Sequence, residues 1–165
     1  MTTLLFVELF AAILFPAPAA GQAERFEGNW EMDRKRSPDA AGAPDNLKQE
    51  IQVNGDQVVI RSDFKQPEDG VYPLLWVGIM VTQDLKLSNN GQQVENQIGP
   101  FAHVSRTKID GKSMVTEWTA AHEGGSVNGK WTRTLSAGGK ELTLDIYAKS
   151  SDGRVLNKKL LFKRD

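Results

Sequence analysis

The chain has 165 residues, 39% hydrophobic and 25% charged, which fits one globular domain and excludes a disordered chain. Its formal net charge is −1; with Glu8 assigned to the N-terminal segment described next, 20 basic residues balance 20 acidic ones, so there is no electrostatic case for nucleic acid or for an anionic membrane surface. There is no cysteine, which excludes disulfides, thiolate metal sites, a cysteine nucleophile and a lipidated N-terminal cysteine.

Leu4 to Phe15 read LLFVELFAAILF. The run is too short for a bilayer-spanning helix, which takes about 20 residues, and suits the apolar region of a signal peptide. The following PAPAAGQA spaces small residues for cleavage after Ala19 or after Ala23. No Lys or Arg precedes the run and Glu8 interrupts it, so a short helix retained in the fold is the alternative. The expectation is a signal peptide over 1–23 and a mature domain over 24–165, exported to the periplasm or secreted, with no stable membrane anchor.

After Ala23 the pattern has period two and is punctuated by turn dipeptides: Asn54-Gly55, Asn90-Gly91, Asp110-Gly111, Asn128-Gly129, Gly138-Gly139 and Asp152-Gly153. Val58 and Ile60 share a face, as do Met114, Thr116 and Trp118, then Leu142, Leu144 and Ile146. Leu156, Leu160 and Phe162 do so with Lys158 among them. Ser37 to Asp45, with Pro38 and Pro44, reads as a loop. No segment of the mature chain repeats apolar residues with a helical period. The spacing predicts an all-β fold, a single antiparallel meander of about eight to ten strands, closed into a barrel or folded into a sandwich so that its edges are hidden. Val71 to Val81, VYPLLWVGIMV, is apolar almost throughout. It suits a strand buried on both faces, or an apolar lid at a barrel mouth, with Pro73 favouring a strand start or an edge.

The first strand carries Phe26-Glu27-Gly28-Asn29-Trp30. Gly-x-Trp opening a meander resembles the lipocalin signature of the wider calycin group. The resemblance implies that the tryptophan closes one barrel end and that Lys163 or Arg164, from the last strand, stacks on it. Trp131 to Ser136 and Gly139 to Leu144 are similar to the closing hairpins of small exported bacterial lipocalin-like proteins, and Ser37 fits the serine that follows the first strand there. What this implies is a lipocalin-like barrel and, at most, a class of small apolar ligands.

Catalytic chemistry finds little support. His103 and His122 are the only histidines; Glu123 adjoins His122, but metal-ligand spacing is absent, so no metal and no cofactor are expected. No serine lies in a G-x-S-x-G elbow, and Gly124-Gly125-Ser126 lacks the lysine of a phosphate loop. The aromatic residues carry more information. Tyr72, Trp76, Trp118 and Trp131 either fill a small barrel or line a cavity for one ligand. Arg106 and Arg133 lie on strand-like runs, and an inward arginine would bind a carboxylate head group. Arg133 shares parity with Trp131 and Leu135, which makes it the better candidate. The leading expectation is a domain that binds a small hydrophobic or amphipathic molecule through Tyr72, Trp76, Arg106, Trp118, Trp131 and Arg133. The alternative is a structural or interaction barrel with a filled core, and an enzyme is the least supported reading.

Overall fold

The computed structural model describes residues 21–65 and 74–165. Ten strands follow one another: β1 (Gly28–Met32), β2 (Asp45–Asn54), β3 (Gln57–Lys65), β4 (Leu85–Ser88), β5 (Asn90–Ile98), β6 (Phe101–Asp110), β7 (Ser113–His122), β8 (Gly125–Leu135), β9 (Glu141–Ser150) and β10 (Val155–Arg164). Two 3-10 turns, Glu24–Phe26 and Leu74–Trp76, complete the described elements. The strands form one sheet in the order β4-β3-β2-β1-β10-β9-β8-β7-β6-β5, with every neighbouring pair antiparallel. This is the expected meander, rolled into a nearly closed barrel whose first and last strands pair with each other.

The seam falls between β4 and β5, neighbours in sequence that share no strand ladder. There the Asn96 side chain takes the place of a backbone rung. Its Oδ1 accepts from the Lys86 amide at 2.9 Å and its Nδ2 donates to the Lys86 carbonyl at 2.8 Å. Beside it, the Gln83 side chain donates to the Gln97 carbonyl.

Alternation sets the layers. Leu142, Leu144, Ile146 and Ala148 of β9 point inward, and Leu160 and Phe162 of β10 meet them across the ladder. Burial of such apolar surface contributes about 25 cal/mol per Å². One barrel end is capped as the Gly-x-Trp resemblance implies. Trp30 is buried, its Nε1 donates to the Phe26 carbonyl at 2.9 Å, and the Arg164 guanidinium lies 4.5 Å from its ring centroid. Ser37 ties the loop after β1 to the last strand. Its Oγ donates to the Asp33 carbonyl at 2.8 Å and accepts from the Leu161 amide at 2.9 Å.

Two local expectations are corrected. Asn128-Gly129 is no turn; both residues lie inside β8, and the chain turns earlier, between β7 and β8 at Glu123-Gly124. Gly129 serves a close approach, since a Cβ there would lie 2.3 Å from the Trp118 ring. Nor is the apolar run ending at Val81 a strand where it is described: Leu74–Trp76 is a 3-10 turn, and the Trp76 carbonyl accepts from the amides of Ile79 and Met80, both at 3.0 Å. Its first residues, 71–73, and residues 1–20, on which the signal-peptide expectation falls, lie outside the described residues.

Candidate functional site

The site is a polar wall on the inner face of β6, β7 and β8. Cross-strand register creates it. Ser105 pairs with Trp118, and Trp118 pairs with Gly129; Thr107 pairs with Thr116, which pairs with Trp131; Met114 pairs with Arg133. Because Gly129 has no side chain, the Trp118 indole lies over its backbone and reaches the neighbouring layer. Its centroid is 5.0 Å from that of Trp131. His103 joins both rings, 5.5 Å from Trp118 and 5.6 Å from Trp131, the latter nearly parallel at 8°. Gly78, at φ 82°, closes over Trp131 from the other side; a Cβ there would lie 2.2 Å from the ring, so the close approach requires glycine.

Some polar groups in this wall are paired. The Thr107 and Thr116 hydroxyls bond each other at 2.9 Å. Gln49 Nε2 donates to Ser62 Oγ at 3.1 Å, and Gln49 Oε1 accepts a long bond, 3.4 Å, from Arg133 Nη2. The rest are not. Arg133 Nε and Nη1, Trp131 Nε1, Trp118 Nε1, Ser105 Oγ and both ring nitrogens of His103 are buried with no hydrogen-bond partner. Buried polar groups are paired as a rule, so a cluster of exceptions in one place marks a site that something else completes.

Charge sharpens the point. Arg133 is fully buried, and among the described residues no Asp or Glu is buried and none forms an ion pair with it. Burial pushes its guanidinium down to about 10, which leaves it charged at neutral pH. The Trp131 ring, with its centroid 5.8 Å away, is a weak substitute for a counter-charge. Burial likewise pushes His103 down to about 4, so this imidazole is neutral at pH 7. The wall therefore offers one uncompensated cation and a row of neutral polar groups, most of them able to donate. Among the described residues, no three His, Asp or Glu side chains gather as a metal site.

Of the residues singled out from the sequence, Trp118, Trp131 and Arg133 come together in this wall. Trp76 is buried in the segment that enters the barrel mouth. There a pocket of about 230 Å³ opens between Trp76–Gln83 and Ile98–Phe101. Tyr72 lies outside the described residues. Arg106 is a correction: it is exposed on the outer face, where its Nη2 donates to Gln93 Oε1 at 3.2 Å. Strand period two explains this, since His103, Ser105 and Thr107 occupy the inward positions of β6. A wider, open concavity of about 870 Å³ lies on that outer face, bordered by Arg106, Glu117, Lys130 and Lys149. Its mixed charges are those of an ordinary solvated surface. Sequence reasoning missed Gln49 and Ser105 and treated His103 as unremarkable. The sequence carries no inward signal for His103, because the residues that share its parity, Ser105 and Thr107, are polar as well.

No protein-family model matches the sequence, and no curated protein does. Solved structures match over most of the chain. One is a fatty acid transporter designated REP1-NXSQ, with TM-score 0.54 and 18% identity over 87% of this chain and 98% of its own. Another is a secretory abundant heat soluble protein from Ramazzottius varieornatus, with TM-score 0.53 and 15% identity over 86% of this chain and 96% of its own. At these identities what is shared is the fold, a lipocalin-like meander barrel.

Proposed function

We propose that this domain binds a small amphipathic molecule with an anionic head, the head held by Arg133 and the apolar body along the aromatic inner wall. The observation that carries the reading is Arg133 itself, a fully buried guanidinium with two unpartnered nitrogens and no carboxylate against it. A ligand carboxylate supplies both the missing charge and the missing acceptors, in the planar geometry a guanidinium fork favours. The name of the neighbouring fatty acid transporter agrees with a fatty acid as the first ligand to try. The same proposal places the protein outside the cytoplasm after removal of its N-terminal segment. Cleavage after Ala19 suits this better than cleavage after Ala23, because the fold uses Gln22 Oε1 to accept from the Gly111 amide and buries Ala23.

Titration with a fluorescent fatty acid, followed by competition with unlabelled acid, tests the reading. Saturable binding is expected, weakened at least about tenfold in Arg133→Leu, since charge-assisted pairs are among the stronger hydrogen bonds. The empty Arg133→Leu protein is expected to be as stable as the parent or more so, because replacing an uncompensated buried charge with an apolar side chain is neutral or stabilising. Absence of saturable binding overturns the proposal. One observation favours a second reading, an interaction domain with a filled interior: Gly78 packs directly against Trp131, so the mouth segment already occupies part of the barrel. Native mass spectrometry that finds only unliganded protein, with no displacement by fatty acid, selects that reading.

A further inference from the structure

The unpartnered atoms of the inner wall fall into two groups. Arg133 Nε and Nη1 with Trp131 Nε1 form the first, beside the Gln49–Ser62 pair; Trp118 Nε1, Ser105 Oγ and the His103 nitrogens form the second. Strand register sets their backbones apart. Gly129, the cross-strand partner of Trp118, lies four positions before Arg133 on β8, which is about 13 Å of strand. The side chains come closer than the backbones, with the Trp131 ring 5.8 Å from the guanidinium and 5.0 Å from the Trp118 ring, but a carboxylate on Arg133 brings two oxygens, which the three donor atoms of the first group take up.

The donor inventory says what the second group needs. An indole N–H and a guanidinium N–H only donate; a serine hydroxyl and a neutral imidazole both donate and accept. One orphaned atom, the unprotonated nitrogen of the neutral His103 ring, only accepts, and the others donate or do both, so the second group calls for a partner that both accepts and donates, as a hydroxyl does. Whatever completes the wall must therefore bring acceptor atoms to two places. We propose that the barrel holds its ligand at two oxygen-bearing groups: an anionic head on Arg133 and Trp131, and a hydroxyl further along the chain on Trp118, Ser105 and His103. This rests on Arg133 receiving the head, and it narrows the ligand class from fatty acids in general to chains oxygenated part-way along. An unsubstituted chain would leave Trp118 Nε1 and Ser105 Oγ desolvated without a partner, and a site built to hydrogen-bond a polar group discriminates against an analogue that lacks it.

The test is a displacement titration of the whole protein with stearate and with a hydroxystearate substituted in mid-chain. Parent protein is expected to bind the hydroxy acid about tenfold tighter, in line with the loss of one or two buried hydrogen bonds. In Ser105→Ala and, separately, Trp118→Phe the ratio of the two affinities is expected to shrink toward one, whatever each change does to stearate binding itself. Arg133→Leu is expected to weaken both acids together. Equal binding of the two acids by the parent, with both lost in Arg133→Leu, overturns the second subsite and leaves the anionic-head reading standing. Binding of neither acid by the parent overturns both. Ser105→Ala removes a single oxygen, so it keeps the question answerable if Trp118→Phe fails to fold.

Discussion

Two tryptophan–arginine pairs sit in this barrel, and they are built to opposite ends. At the capped end, the Trp30 N–H has its acceptor in the Phe26 carbonyl; Arg164 lies over the ring at 4.5 Å and donates to the Arg25 carbonyl at 2.7 Å, with its head at the surface. In the middle of the barrel, the Trp131 N–H has no acceptor, and Arg133 is wholly buried with two nitrogens unpaired. The same residue types thus make a finished structural joint in one place and an unfinished one in the other. Stability alone explains the first. The second has a cost that packing does not offset, which is where function is expected to depart from the best fold.

The sharpest way to break this contrast is Trp30→Ala. Truncating a buried aromatic that also carries a satisfied hydrogen bond is expected to cost about 3–5 kcal/mol, read as a lower denaturation midpoint. Next comes acid. His103 titrates near 4 when folded and near 6.5 when unfolded, so below about pH 6.5 the unfolded chain binds the extra proton and the folded chain does not. Stability is expected to fall as the pH drops from about 6.5 to about 4 and to level off below that, by up to about 3 kcal/mol. The stability difference between the parent and His103→Phe should shift against the parent as the pH falls through this window; a difference that stays constant with pH would show that the imidazole is not buried as described. Gly129→Ala is expected to cost about 1–3 kcal/mol by driving Trp118 off the strand, and to weaken ligand binding at the same time. The smallest effect is expected for Asn96→Ala at the seam, about 1 kcal/mol for two side-chain hydrogen bonds at an exposed position.

The capped end was legible in the sequence because its pieces are local or terminal. Gly28-Asn29-Trp30 and a basic residue on the last strand pointed to it, and Arg164 is the one that stacks. Arg133 was legible from parity with Trp131 and Leu135. The rest of the wall was not, for a physical reason: β6 reads His103-Val-Ser-Arg-Thr-Lys108, polar on both faces, so hydrophobic period two has nothing to mark. That left Arg106 and His103 without a direction, and the structure sends one out and the other in. Asn128-Gly129 misled because its turn chemistry is real, but Gly129 was needed as floor space under an indole. The run ending at Val81 is apolar in every direction, which hides its period. Gly78 then turns it to lie against Trp131.

The Asn96 amide has a consequence for the solution behaviour of the chain. A ten-strand meander has two outer strands with unsatisfied backbone groups, and such edges recruit other chains. Here β4 and β5 meet each other through the Asn96 carboxamide, with that of Gln83 beside it, so the molecule serves as its own pairing partner. A side chain worth little to the folding equilibrium can in this way decide whether the protein stays dispersed at high concentration.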